Sequence, residues 1–312
     1  MAAQIINGKE IAAQILSEVK SEILKNKLNL KLAIIQIGED EATNIYIKNK
    51  IKRADEVGIK TELHKYQNDI TEEEVGNLIQ KLNVDSSVTG FFIQTPIPSH
   101  LDLLKLVSKI DSKKDIDGMN PYNLGALLQG RSSVLVSATA EAVLKTLEYA
   151  YVCHTGLDPC HSGPDPESIS LDPGLRRDDK VKDTAQPDIS NPLMGKHAVI
   201  IGRSLILGKP LSALLLNKDC TVTLCHSKTK NLKEICKQAD ILVTGTGLSD
   251  FMKKDFVKEG VFVIDCGSPK AEVDFNNVIM RAGYITPVPG GIGPITIASL
   301  LKNCLKAHNL QQ

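Results

Sequence analysis

The chain changes hydrophobic periodicity again and again, and this alternation restricts its fold more than any other feature. Residues 31–37, Lys-Leu-Ala-Ile-Ile-Gln-Ile, form a near-continuous apolar run of strand length, closed by Gly38. An amphipathic helix follows, running to about Glu56 and stopped by Gly58, with Glu39, Asp40 and Thr43 as its first-turn and capping residues. Before it, Ile11, Ile15, Leu16, Val19 and Ile23 recur at helical spacing. Residues 59–66 alternate as a short strand. Thr71 precedes Glu74 by three, which is a capping box opening a helix to about Leu82. Residues 88–94 are β-branched and aromatic, and they stop at Thr95-Pro96 because proline cannot donate to a ladder. Residues 101–110 read as a further helix. Strands separated by helices must cross over, so the sheet they build is parallel.

A helix at 137–149 joins this half to a second one. Between them, about 153–190, the composition turns to Asp, Pro, Ser and Gly without hydrophobic period, and Leu-Asp-Pro recurs at 157–159 and 171–173. The stretch reads as a disordered or loosely looped surface insertion. Its Cys153-His154 and Cys160-His161 pairs fit no standard zinc spacing, so no metal is expected. Regular structure resumes with a strand at 196–202, a helix at 210–217, a strand at 220–225 and a helix at 231–238. Two more buried strands, 239–244 and 261–265, and a last helix at 295–308 complete it. The expectation is an α/β chain of two domains with a cleft between them. Residues 1–140 form the first domain, completed by the terminal helix at 295–312, and 141–290 form a nucleotide-binding domain interrupted by the insertion.

Composition narrows the partners. Lys plus Arg balance Asp plus Glu at 37 each, which gives no support for nucleic acid or a membrane surface. Aromatics are 4% and Trp is absent, so stacking platforms for single strands are lacking. No apolar run approaches the roughly 18 residues of a membrane span. Met1 to Glu10 lacks a charged region followed by an apolar core. Seven cysteines without a Cys-x-x-Cys pair suit a reducing cytoplasm.

Several motifs stand where α/β sheets place their sites. Tyr46 and Lys50 are four apart, so they share one helical face just beyond the carboxyl end of a strand. On spacing alone this is a half-buried tyrosine and a solvated lysine. Gln94 closes its strand, and Asp117 precedes Gly118, ordinarily a turn. Gly202-Arg203-Ser204 through Gly208 lies between a strand and a helix. It is not Gly-x-Gly-x-x-Gly, yet a glycine turn at a helix N-terminus presents N–H groups to a pyrophosphate. After the next strand an NAD site wants an acid for the ribose hydroxyls. This chain has His226-Ser227-Lys228-Thr229 there, which with Arg203 suits the 2′-phosphate of NADP. Pro289-Gly290-Gly291-Ile292-Gly293-Pro294 is too glycine-rich for a helix or strand and reads as a stiff loop closely approaching a flat ligand.

Taken together with Gln94-Thr95-Pro96-Ile97-Pro98 and Asp117-Gly118-Met119-Asn120-Pro121-Tyr122-Asn123, these motifs resemble the bifunctional methylenetetrahydrofolate dehydrogenase/cyclohydrolase family over about 1–150 and 192–306. The resemblance implies NADP-dependent oxidation of 5,10-methylenetetrahydrofolate, hydrolysis of the methenyl product to 10-formyltetrahydrofolate, and a cytoplasmic homodimer joined through the cofactor domain. It implies that Tyr46 stacks on the folate, Lys50 manages protons, Gln94 holds Lys50, and Asp117 binds the pterin. Pro289, Gly290 and Gly291 would border the substrate. Gly202, Arg203, Ser204, Ser227, Thr139, Gly267 and Ile292 would hold the cofactor. The chain departs from the family's pattern at 137–142, where only Thr139 of Pro-Cys-Thr-Pro-x-Gly remains, at Thr95 for Leu, and at Ser268-Pro269 for Ile-Asn. These departures leave a second reading open: a homologue that binds folate or NADP but turns over weakly.

Overall fold

The computed structural model describes residues 3–154 and 191–312; of the segment read as an insertion, 153 and 154 end a helix and 155–190, with Cys160 and His161, lie outside the described residues. In chain order the first half runs β1 (Gln4–Ile5), α1 (Gly8–Asn26), β2 (Lys31–Ile37), α2 (Glu41–Val57), β3 (Lys60–Tyr66), α3 (Glu72–Val84), β4 (Gly90–Gln94), α4 (Leu103–Val107) and α5 (Pro121–Leu128). It continues with α6 (Ala138–His154), β5 (His197–Ile201), α7 (Gly208–Leu216), β6 (Thr221–Cys225), α8 (Leu232–Cys236), β7 (Ile241–Thr244), β8 (Phe262–Asp265), α9 (Phe275–Val278), β9 (Tyr284–Ile285) and α10 (Ile292–Gln311).

Two all-parallel sheets result: one ordered β3-β2-β4, the other β1-β9-β8-β7-β5-β6. β2 is central and buried from Leu32 to Ile37, as its unbroken apolar run requires when both faces are covered. β3 is an edge strand, and every residue along it is exposed or only partly buried. One apolar cluster, including Ile15, Val19, Leu147, Leu211, Leu300 and Leu301, fills the space between the sheets. Separate clusters cover the outer face of each sheet.

Local chemistry explains most boundaries. Asp40 accepts from Thr43 N and starts α2 five residues before Tyr46. Gly58, in the left-handed region, ends it. The Thr71–Glu74 capping box forms as expected. Several elements differ from expectation, among them α9, which no pattern announced, and α6, which runs to His154 rather than 149. The helix read over 101–110 shrinks to five residues, because Asp102 caps it late and the chain past Val107 closes i→i+3 turns instead. α5 was not anticipated, although Asn120 as N-cap and Pro121 in the first turn are ordinary start signals. α10 begins at Ile292, so Gly293 and Pro294 belong to its first turn and the loop is only 287–291; a first-turn proline forfeits no helical hydrogen bond. The two-residue strands β1 and β9 carry too little pattern to read, yet β1 extends the larger sheet.

α10 packs against α1, α6 and α2. Its buried Asn303 donates to Ile116 O at 2.8 Å and Val136 O at 2.7 Å, tying the terminal helix to the loop before Asp117. At the start of α1, a Cβ on Gly8 would lie 1.8 Å from Gly291 O, so helix and loop touch backbone to backbone. Gly8→Ala is therefore expected to cost about 1–3 kcal/mol in a denaturant melt, since neither backbone can yield cheaply.

Candidate functional site

The site is built at the carboxyl ends of β2 and β4. On α2, Tyr46 and Lys50 point the same way, and the Lys50 Nζ lies 5.0 Å from the Tyr46 ring centroid and 4.2 Å from that of Phe92. Lys50 is only 6% exposed, which rules out the solvated lysine that spacing alone suggested. Its Nζ donates to Gln94 Oε1 at 2.9 Å, while Gln94 Nε2 donates to Thr95 O at 2.7 Å, fixing the amide's orientation. Burial pulls the Lys50 amine down to about 8, with Asp117 acting in the opposite sense. Burial also pushes the Tyr46 phenol up to about 12, so Tyr46 stays neutral.

Asp117 arrives from the loop between α4 and α5. Residues 114–116 run beside β4, with a Phe91–Asp115 bridge. Asp115 accepts from Asn120 N at 2.7 Å and Asn123 Nδ2 at 3.1 Å, closing the loop around its own carboxylate. Gly118 takes a φ of 66°, and a Cβ there would meet Val136 C at 2.3 Å, so this turn admits only glycine. Burial raises Asp117 to about 6 while Lys50 pulls it down. Tyr46, Lys50, Gln94 and Asp117 thus form one group: an amine titrating near neutrality, coupled to a carboxylate and flanked by aromatic faces.

A second group lies at the carboxyl edge of the larger sheet. From β5 the chain passes to β6 on one side and β7 on the other, the switch point where α/β sheets bind ligands. Gly202 has φ 124°, and a Cβ on Gly208 would lie 1.8 Å from Gly202 O, so the turn is compressed against α7. No side chain caps α7; Lys209 N donates to Ser204 O at 3.1 Å and Pro210 has no N–H, so Gly208 N is the first-turn donor left to an anion. Gly202 N donates to Cys225 O, placing the turns that carry Arg203 and Ser227 at neighbouring strand ends. Arg203, Ser204 and Ser227 are exposed. Ser204 Oγ also accepts from Leu207 N at 3.2 Å. This cradle, cationic and without a carboxylate in either motif, fits a phosphorylated dinucleotide.

Between the sheets opens a cleft of about 590 Å³, whose lining includes Tyr46, Thr139, Gly267, Pro289, Gly290, Gly291 and Ile292. Lys50, Gln94 and Asp117 do not line it; of their group only Tyr46 does. Gly202, Arg203, Ser204 and Ser227 also stand outside its lining. Gly267 N donates to Asp265 Oδ1, and Asp265 Oδ2 accepts from Glu272 N and Val273 N, each at 2.9 Å. At the altered stretch 137–142, α6 begins regularly, and Ser137 donates to the Ile206 carbonyl across the two halves. Sequence reading missed Phe92, Asp115 and Asn303. For Asn303 the only signal was a single amide within 292–308, the more apolar part of the last helix.

Two family models match the chain: the catalytic domain of tetrahydrofolate dehydrogenase/cyclohydrolase over residues 6–117 and its NAD(P)-binding domain over residues 186–312. The chain is 39% identical to the bifunctional protein FolD of Agathobacter rectalis, covering 98% of this chain and 99% of that protein. The crystal structure of the bifunctional FolD methylenetetrahydrofolate dehydrogenase/cyclohydrolase of Campylobacter jejuni superposes with a TM-score of 0.82 at 34% identity, over 100% of both chains. The Trypanosoma brucei FolD, solved with NADP cofactor and inhibitor, superposes with a TM-score of 0.80 at 27% identity, over 99% and 98% of the chains.

Proposed function

The chain belongs to the tetrahydrofolate dehydrogenase/cyclohydrolase family, and on that premise we propose that it oxidises 5,10-methylenetetrahydrofolate with NADP⁺ and hydrolyses the methenyl product to 10-formyltetrahydrofolate. The observation that carries this reading is the buried Lys50 amine, held by Gln94 beside Tyr46 and coupled to Asp117.

In this reading Asp117 accepts two parallel N–H bonds from the pterin, and Tyr46 stacks on the folate so that its methylene bridge faces the cofactor wall. Bound NADP⁺ supplies the hydride acceptor. Arg203 and Ser227 bind the 2′-phosphate, and Gly202, Ser204 and the start of α7 receive the pyrophosphate. Thr139, Gly267 and Ile292 border the cofactor within the cleft, and Pro289, Gly290 and Gly291 border the folate. For hydrolysis, neutral Lys50 takes a proton from the water that adds to the methenyl carbon, and returns one to N5 as the C–N5 bond breaks. The net reaction releases one proton. Gln94 keeps the amine aimed.

The regular start of α6 and the Ser137–Ile206 link support turnover over the weaker reading, because the chain path is held there without the family's prolines. Residues 1–140 with 295–312 serve as the folate-binding catalytic domain and 141–290 as the cofactor domain. A homodimer through the cofactor domain, a cytoplasmic setting and no nucleic-acid partner complete the proposal. No helix among the described residues is long and apolar enough to cross a membrane.

The test is a coupled assay with 5,10-methylenetetrahydrofolate and either NADP⁺ or NAD⁺, following methenyl absorbance and reduced cofactor together. Turnover with NADP⁺ and little methenyl accumulation supports both activities; no turnover with either cofactor sinks the proposal. Arg203→Ala is expected to raise the KM for NADP⁺ about 10-fold or more while leaving that for NAD⁺ nearly unchanged, since a charge-assisted phosphate contact contributes about 1.5–3 kcal/mol. Equal effects on the two cofactors would remove Arg203 from the 2′-phosphate site.

A further inference from the structure

The first half of the chain grips α7 at both ends, and the two joints differ in what stands beside them. At the far end, Asn217 Nδ2 donates to Leu127 O of α5 at 2.8 Å, about 13 Å along α7 from the cofactor turn. At the near end, Ser137, fully buried just before α6, donates its hydroxyl proton to Ile206 O. A serine directly before a helix ordinarily serves that helix by accepting from its first N–H groups; this one sends its proton across to the other half. The family's pattern has proline here, which carries no side-chain donor, so the joint belongs to this chain's own sequence.

Ser137 stands between the two ligand groups. On one side, Gly118, next to Asp117, packs on Val136 C and Ser137 N too closely to admit a Cβ. Asn303 donates to both Ile116 O and Val136 O, so 116–118 and 136–137 are fastened together. On the other side, Ile206 belongs to the turn from Gly202 to Gly208, in which Leu207 N donates to Ser204 Oγ. Ile206 also packs on the apolar cluster over the outer face of the smaller sheet. Among the described residues of that cluster it alone comes from beyond α6. One apolar side chain and one hydroxyl thus hold the cofactor turn to the segment that aims Asp117.

We propose that Ser137 is a positioning residue for the oxidation step: through Ile206 it sets the cofactor turn at the spacing from the Asp117 turn that hydride transfer requires. The inference rests on the folate and NADP⁺ reading above. Each turn is built within its own half, one around the Asp115 carboxylate and the other around Gly202 and Ser204, so either ligand still binds when the joint is cut. The joint governs the gap between the methylene carbon and the hydride acceptor, where a misplacement of about 1 Å costs up to about 10²-fold in rate. Hydrolysis uses Lys50, Gln94 and water, all without cofactor, so it does not depend on the joint.

The experiment compares Ser137→Ala with Asn217→Ala, which cuts the other joint. Oxidation of 5,10-methylenetetrahydrofolate by NADP⁺ is measured beside hydrolysis of 5,10-methenyltetrahydrofolate supplied directly and without cofactor. Ser137→Ala is expected to lower the kcat of oxidation about 10-fold while both KM values and the hydrolysis rate stay within twofold of wild type. Asn217→Ala is expected to leave all of these within twofold. Hydrolysis that falls in step with oxidation in Ser137→Ala, or an equal kcat loss in Asn217→Ala, makes the joint a structural tether and overturns the proposal. So does an oxidation kcat within twofold of wild type in Ser137→Ala, or a loss confined to KM. A wild-type protein that turns over neither folate overturns the underlying reading and the proposal with it.

Discussion

Lys50→Met is expected to lower methenyl hydrolysis about 10²–10⁴-fold, the usual contribution of a positioned acid–base group. Methionine matches the length of the lysine stem and suits a site with aromatic faces, so the fold persists. The folded state no longer carries a buried ammonium, and the main structural loss is the donor to Gln94 Oε1. Oxidation of the methylene substrate needs no proton from Lys50, so it should fall far less, and methenyl product should accumulate in the coupled assay. Wild-type hydrolysis adds a second check. The amine sits at about 8, below its ordinary range, so the neutral form grows as pH rises. The enzymatic rate should climb about tenfold per unit below pH 8 and level off above it. Hydrolysis by the methionine variant near the wild-type rate, or a flat profile, would remove Lys50 from proton transfer.

Asp117→Ala should act differently, lowering kcat/KM for both reactions together by about 10²–10⁴-fold. It removes an ionised acceptor of two N–H bonds, each contributing about 1.5–3 kcal/mol. Asp117→Asn keeps one acceptor and should recover part of the loss. The pH dependence has its own sign. Burial raises this carboxyl to about 6, so it is ionised above that value and neutral below. Folate KM in the wild type should therefore rise as pH falls through 6, and the alanine variant should lack this limb. A variant whose folate KM stays within twofold of wild type would place the pterin elsewhere.

The two effects separate because the residues reach the site by different routes. Tyr46 and Lys50 are a helical pair, and four-residue spacing already put them on one face. Gln94 was legible as the last residue of a strand, where side chains meet a ligand. Asp117 alone looked like a turn residue, and it is one: the Gly118 turn that made it ordinary also aims it. Only the company of the other motifs marked it.

The order of the longer strands and helices, the parallel sense of both sheets and the places of the glycine turns followed from the sequence by itself, because they depend on neighbours a few residues apart. The spacing of Tyr46 and Lys50, the strand end at Gln94 and the missing acid after β6 are likewise local facts. Tertiary structure decided the rest. It buried Lys50 under Phe92 and so changed a solvated cation into an amine that titrates near neutrality. It brought Asn303, 187 residues away along the chain, to the carbonyl before Asp117. It joined β1 to β9 across almost the whole chain, and it shortened α4 while drawing α10 back to Ile292. Each of these depends on contacts between distant segments, whose energies come from burial and packing that no local pattern encodes.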